Sequence, residues 1–193
     1  MAPEHSFPAS NEDVIDAAKF LLEKSTEEKF GKLRAIGGES AGAHLTMITA
    51  FGLKHQGIDI SGIEALVCFY GIFDMEKLPS WYNNTGNVIL SYQTMQSFLD
   101  AYNAKGYDLK DPRLSPAFEK DMSNMPPAIF IVGTADLLLD DSLLMATKYS
   151  VAGNKARLVI TPNAVHGFTM ISGPDQEDGL VPAENFILEN ARV

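Results

Sequence analysis

Short apolar runs of strand length alternate with amphipathic helical stretches along most of this chain, and that alternation limits the fold more than any other feature. Leu33–Gly37 is a strand-like run ending in two glycines, and Ile63–Tyr70, Ala128–Gly133 and Arg157–Thr161 are three more. Asn11–Lys24 places Val14, Ala17, Ala18, Leu21 and Leu22 at helical spacing, with Ser10 or Asn11 available as its cap. Ala41–Leu53 and Leu137–Ala152 also read as helices, the second stopped by Gly153-Asn154. Val181–Glu189 closes the chain as a helix with Pro182 near its start. Strands that alternate with helices form a parallel sheet, and strands covered on both faces read as continuous apolar runs. The expectation is an α/β fold: a mostly parallel sheet of four strands with helices on both faces, in one domain spanning residues 1–193.

In such sheets ligands bind beyond the carboxyl ends of the strands. The informative segments are therefore Gly37–Gly42, Gly71–Asp74, Thr134–Asp136 and Pro162–Phe168. Residues 75–125 break the alternation and carry Trp81, Tyr82, Tyr92, Met95, Phe98, Tyr102 and Tyr107 among polar residues, with Ser91–Ala104 as a candidate helix. A connection of that length is read as a cap-like excursion, with a packed aromatic-rich segment as the alternative.

Charge and cysteine content exclude several functions. Fifteen basic residues face 25 acidic ones, for a net charge of −10. No basic stripe is present to neutralise phosphates, so nucleic acid is excluded as a partner and strongly acidic ligands are disfavoured. Neutral small molecules are the expected ligands. No apolar run reaches the ~18 residues of a membrane span, and Glu4, Glu12, Asp13 and Asp16 do not suit a secretory leader. The single cysteine, Cys68, lies in an apolar run and is expected in the core. One cysteine rules out an internal disulfide framework and a multi-cysteine metal cage, and a cytoplasmic, reducing setting is the expectation.

Gly38-Glu39-Ser40-Ala41-Gly42 matches G-x-S-x-G. Composition alone produces that pattern by chance in about 8% of chains this long. Its context is more telling: it leaves a strand and opens a helix, the setting of a nucleophile elbow. The tight turn calls for glycine on either side of the serine. The helix N-terminus favours developing negative charge, and the Ala41 N–H is placed as an oxyanion donor. Phosphate binding is the competing use of such a turn, but Ala43 and His44 stand where Lys and Ser/Thr are required.

A serine nucleophile needs a base, and the base needs an acid to orient it. In the chain order Ser, acid, His, only His166 of the four histidines follows the last strand. His5 precedes the serine, His44 lies a turn into the elbow helix with a packing or local hydrogen-bonding role, and His55 is expected to be solvated. Asp136 follows the third strand and is the expected acid, with Asp74 as the alternative. Asp140 and Asp141 fall at the start of the next helix and are read as serving its dipole or solvent.

Several segments together resemble the hormone-sensitive-lipase-like branch of the α/β-hydrolases. They are Ala2-Pro3-Glu4-His5 with Phe7-Pro8-Ala9, Gly37–Gly42, Asp111-Pro112-Arg113-Leu114-Ser115-Pro116, Pro126-Pro127-Ala128, Gly133-Thr134-Ala135-Asp136 and His166-Gly167-Phe168. The resemblance implies a carboxylic ester hydrolase with Ser40 as nucleophile, His166 as base and Asp136 as acid, and no metal or organic cofactor. It implies that residues 75–125 form a cap, with Glu39, Trp81, Tyr82 and Phe168 as candidates to contact substrate.

Ala43 and Leu137 depart from the family's usual glycine and proline. The larger departure is at the front, where the family's H-G-G-G oxyanion loop and several strands have no counterpart before Ala2. The expectation is a truncated α/β-hydrolase with reduced activity and an apolar sheet edge at the first strand, open to self-association. The alternative is a hydrolase-fold remnant acting by binding, or a fragment of a longer esterase.

Overall fold

The computed structural model describes residues 2–83 and 89–191. Four strands form one parallel sheet in the order β1 (Ala35–Glu39), β2 (Ala65–Phe69), β3 (Ala128–Gly133) and β4 (Ala156–Thr161). Seven helices are present among the described residues: α1 (Ala9–Leu22), α2 (Lys24–Phe30), α3 (Ala41–His55), α4 (Ser80–Asn83), α5 (Tyr92–Tyr102), α6 (Leu139–Val151) and α7 (Pro174–Asn190).

The period-two geometry of a strand sorts the core into two layers. Leu66, Cys68, Ala128 and Phe130 point to one face, where Ala18 of α1, Met47, Ala50 and Phe51 of α3, and Met145 and Tyr149 of α6 pack on them. Ala65, Val67, Phe69, Ile129 and Ile131 point to the other, against Ala183 and Phe186 of α7. Every residue of β2 and β3 is buried, which explains why both read as unbroken apolar runs. Cys68 is 1% exposed and belongs to this core, as expected. β1 is hydrogen-bonded to β2 alone and is an outer strand among the described residues.

The excursion after β2 has its own apolar cluster. Ile72, Met75, Trp81, Leu90, Met95 and Leu99 pack with Leu137 and Leu138, which lie between β3 and α6. Ser91 caps α5, its hydroxyl accepting from the Thr94 N–H at 3.1 Å. Phe7, 1% exposed, ties the N-terminal segment to this region: its N–H donates to the Tyr102 carbonyl at 2.8 Å and its ring meets Tyr102 and Tyr107 edge-on.

Several element boundaries differ from those expected, three of them in ways that bear on the packing. The first strand lies two residues later than expected, because Gly38 and Glu39 pair in register with Cys68 and Phe69. The first helix starts at Ala9 with no side-chain cap. Asn11 is buried instead, donating to the Arg113 carbonyl and accepting from the Tyr102 hydroxyl. The last helix begins at Pro174, so Pro182 lies inside it rather than near its start.

Candidate active site

The turn at Ser40 is built by β1 entering α3 through one residue. Ser40 has φ 54° and ψ −114°, a left-handed-side conformation that non-glycine residues rarely adopt. Such strain costs about 1–3 kcal/mol and persists only where the surroundings enforce it. Here the Ser40 N–H donates to the Phe69 carbonyl at 2.9 Å, which extends the β1–β2 ladder by one bond. Its carbonyl accepts from Ala43 and His44 at 3.1 and 3.2 Å, which starts the helix.

Gly38 is demanded by space, since a Cβ there would stand 2.6 Å from the Gly42 carbonyl carbon. Gly42 is not: a Cβ there meets nothing within 4 Å. The turn needs glycine before the serine, and the glycine after it is the surface that comes close. Ala41 is the first residue of α3, so its N–H has no intrahelical acceptor.

His166 and Asp136 arrive from the ends of β4 and β3. The His166 Nε2 lies 2.9 Å from the Ser40 Oγ. Its Nδ1 lies 2.9 and 3.1 Å from the two Asp136 oxygens. A carboxylate only accepts, so Nδ1 carries the proton and Nε2 accepts from the serine hydroxyl. Asp136 is fully buried, and its Oδ1 also accepts from the Leu138 N–H at 2.8 Å. His166 is 7% exposed and packs edge-on against Tyr70 at 4.9 Å between centroids. Gly133 lets the two loops meet: a Cβ there would fall 2.0 Å from the Ala164 carbonyl oxygen.

Asp74, the alternative acid, is elsewhere. Its Oδ1 accepts from the Glu76 N–H and its own N–H donates to Asp141. His44 is buried with its Nδ1 donating to the Ile72 carbonyl at 3.1 Å, and burial lowers its pKa to about 4. It is a core histidine. His55 is half exposed but lies 3.1 Å from the Glu119 carboxylate, so it has a protein partner where solvent alone was expected.

The residues expected to contact substrate scatter. Trp81 is 1% exposed, and its indole N–H donates to Asp141 at 3.1 Å, so it packs the excursion instead of lining an open pocket. Phe168 is likewise buried, against Tyr70. Glu39 accepts from the Thr169 hydroxyl at 2.7 Å. Tyr82 is exposed, beside Tyr92.

Asp141, expected to serve its helix dipole or solvent, has a different role. Its carboxylate is fully buried and accepts from Phe73 N–H, Asp74 N–H and the Trp81 indole at 2.7, 2.8 and 3.1 Å. Burial pushes its pKa up to about 7. Asp140 binds the same excursion, accepting from the Ser80 N–H at 2.9 Å. Neither carboxylate is spent on solvent. The available signal was the pair of adjacent acids facing an aromatic-rich insertion.

Among the described residues no cluster of three or more His, Cys, Asp or Glu side chains suits a metal ion. Among them, too, no helix is long and apolar enough to cross a membrane.

A parallel sheet with helices on both faces and a strained serine at a strand-to-helix turn places the molecule in the alpha/beta hydrolase class. The sequence pattern of the alpha/beta hydrolase fold family matches residues 1–170, and the chain belongs to that family, in its hormone-sensitive-lipase-like branch. An ethyl acetate hydrolase of Pseudomonas putida is 28% identical over 185 residues, which cover 94% of this chain and 58% of that protein. An esterase of Acinetobacter venetianus is 26% identical over 188 residues, covering 96% and 61%. The structure of an esterase of Pyrobaculum calidifontis superposes with a TM-score of 0.86 at 30% identity, over 99% of this chain and 64% of that one. An esterase of the bacterial hormone-sensitive lipase family gives 0.87 at 26% identity, over 98% and 63%. The chain thus spans about three-fifths of the length of the curated relatives it matches.

Proposed function

We propose that this chain carries the reacting groups of a serine hydrolase acting on carboxylic esters. The observation that supports this most is the unbroken hydrogen-bonded path from Asp136 through His166 to the Ser40 Oγ, 2.9 Å at each side of the imidazole. Ser40 Oγ attacks the ester carbonyl carbon while His166 Nε2 takes its proton. The carbonyl oxygen becomes an oxyanion, and the Ala41 N–H donates to it. Collapse breaks the carbon–alkoxy bond, and His166 returns the proton to the departing alcohol. A water then repeats the sequence on the acyl-serine and releases the acid. Asp136 holds the imidazole in the tautomer both steps need and stabilises its charged form.

Residues 75–125 act as the cap in this reading, anchored through Trp81 and Ser80 to Asp141 and Asp140. The names of the relatives favour short, neutral esters such as ethyl acetate as the first substrates to try. The outer edge of β1 is proposed as a pairing surface for a second chain, and a stable monomer in sedimentation overturns that part.

A second reading, a hydrolase-fold unit that acylates but turns over slowly, is favoured by one observation. Among the described residues the strand-to-helix turn offers the Ala41 N–H as an oxyanion donor, and each such donor is worth about 10²–10³ in turnover. Fluorophosphonate labelling and hydrolysis of a short-chain nitrophenyl ester separate the readings. Labelling and turnover that both vanish in Ser40→Ala support the first, and labelling without turnover supports the second. Equal signals from wild type and Ser40→Ala refute both.

A further inference from the structure

Behind the candidate reacting groups lies a second hydrogen-bonded path that the chemistry above does not use. The Tyr70 and Thr169 hydroxyls are hydrogen-bonded to each other. The Thr169 Oγ1 is also 2.7 Å from the Glu39 Oε1. A threonine hydroxyl has one proton, and a carboxylate only accepts. The direction is therefore set: the Tyr70 O–H donates to Thr169, and the Thr169 O–H donates to Glu39. Tyr70 is fully buried and Thr169 is 4% exposed, so water does not compete for either hydroxyl.

The three residues sit at telling places. Glu39 immediately precedes Ser40 in the chain. Thr169 follows His166 by three residues, in the 3₁₀ turn Phe168–Met170. Tyr70 immediately follows β2 with a positive φ of 39°, its N–H held by the Ile131 carbonyl at 2.7 Å and its ring edge-on to the His166 imidazole. The Thr169 methyl is held as well, since it lies 2.6 Å from where a side chain at Gly179 of α7 would begin. Its backbone carbonyl accepts from Gln176 at 2.8 Å. With methyl and backbone seated on α7, the hydroxyl has one direction left, toward Glu39.

We propose that Thr169, backed by Tyr70, is a positioning residue that fixes the separation of Ser40 and His166 by tying the residue before the serine to the turn after the histidine. This rests on the serine-hydrolase reading for its kinetic consequence, though not for its structural one. It also gives Glu39 a partner within the protein.

The test compares Thr169→Val, which keeps the shape and loses the hydroxyl, with Thr169→Ser, which keeps the hydroxyl and loses the methyl. kcat and KM are measured on a short-chain nitrophenyl ester beside Ser40→Ala. Solvent exchange of the downfield His166 Nδ1 proton is measured by NMR on the ring-labelled protein. The expected result for Thr169→Val is kcat lower by about 10-fold, KM unchanged and proton exchange faster by about 10-fold, as for a displacement well under 1 Å. Thr169→Ser stays close to wild type in all three. Wild-type kcat and exchange in Thr169→Val overturn the proposal, as does a Thr169→Ser defect as large as that of Thr169→Val. If Ser40→Ala hydrolyses as fast as wild type, the hydrolase reading falls instead. Proton exchange then decides the Thr169 inference alone, with faster exchange in Thr169→Val supporting it and equal exchange refuting it.

Discussion

One methyl group added at Gly133 is expected to separate Asp136 from His166. Gly133 ends β3, three residues before Asp136. A Cβ there would lie 2.0 Å from the Ala164 oxygen, 2.5 Å from its carbon and 2.8 Å from its Cβ. Ala164 precedes His166 by two residues, and its carbonyl accepts from the Ala135 N–H at 3.0 Å. The two nearest atoms are backbone and the third is a Cβ fixed to it, so no side chain can swing aside. Reaching an ordinary contact of 3.4 Å requires the 161–168 loop to retreat by about 1.4 Å. Overpacking of this kind costs about 1–3 kcal/mol. A misplacement of about 1 Å between reacting groups costs about 10²-fold in rate.

Gly133→Ala should therefore lower the urea midpoint and reduce both fluorophosphonate labelling and ester turnover by about 10²-fold. Gly62→Ala is the control, because a Cβ there meets nothing within 4 Å and Gly62 has no positive φ. Wild-type midpoint and turnover in Gly133→Ala would refute the argument that close approach of these two loops assembles the site.

Three further outcomes are expected. Gly38→Ala drives a Cβ to 2.6 Å from the Gly42 carbon and should lose serine labelling by more than about 10-fold, whereas Gly42→Ala should keep it; equal labelling of the two variants contradicts the spatial account of the turn. Trp81→Phe deprives the buried Asp141 carboxylate of one of its three donors and should cost about 1–3 kcal/mol in urea unfolding with little change in kcat; an unchanged midpoint argues against the anchor. His44 and Asp141 should pull the pH dependence of stability in opposite directions. Burial lowers His44 from 6.5 to about 4, so its contribution is present above pH 6.5 and lost as pH falls toward about 4. Burial raises Asp141 from 3.8 to about 7, so its contribution is present below pH 3.8 and lost as pH rises toward about 7. At about 1.4 kcal/mol for each pH unit the two are capped at about 3 and about 4 kcal/mol, and they offset each other. Asp141→Asn should expose the His44 limb as a steep loss of urea midpoint on acidification from about pH 7 to about pH 4, and parallel profiles for wild type and variant refute the pairing.

The fold was legible because β2 and β3 are buried on both faces, and no solvent side interrupts their apolar runs. β1 was harder to place. Its Gly38 and Glu39 belong to the G-x-S-x-G pattern and look like a turn, yet they pair in the ladder with Cys68 and Phe69, and Gly42 leaves no room for a side chain at Gly38. Ser40, Asp136 and His166 could be picked out because each follows a strand end, where a parallel sheet gathers side chains from distant parts of the chain. The pairing of Asp136 with His166, rather than of Asp74, is a matter of about 3 Å in space and has no local signature.

What stayed hidden follows a common pattern. Asp141, Trp81 and Thr169 each make a polar contact across a sequence separation of 60 residues or more. No periodicity encodes such contacts. At a helix start Asp141 resembles any N-terminal acid, and its burial is visible only once the excursion folds over it. An aromatic-rich insertion cannot be assigned to substrate or to core from its composition, because both uses favour the same side chains. What separates them is whether the polar handle of the aromatic is already taken. Trp81 donates to a buried carboxylate, so its ring is fixed in place and its exposed area is spent. Tyr82, by contrast, keeps its ring exposed beside Tyr92.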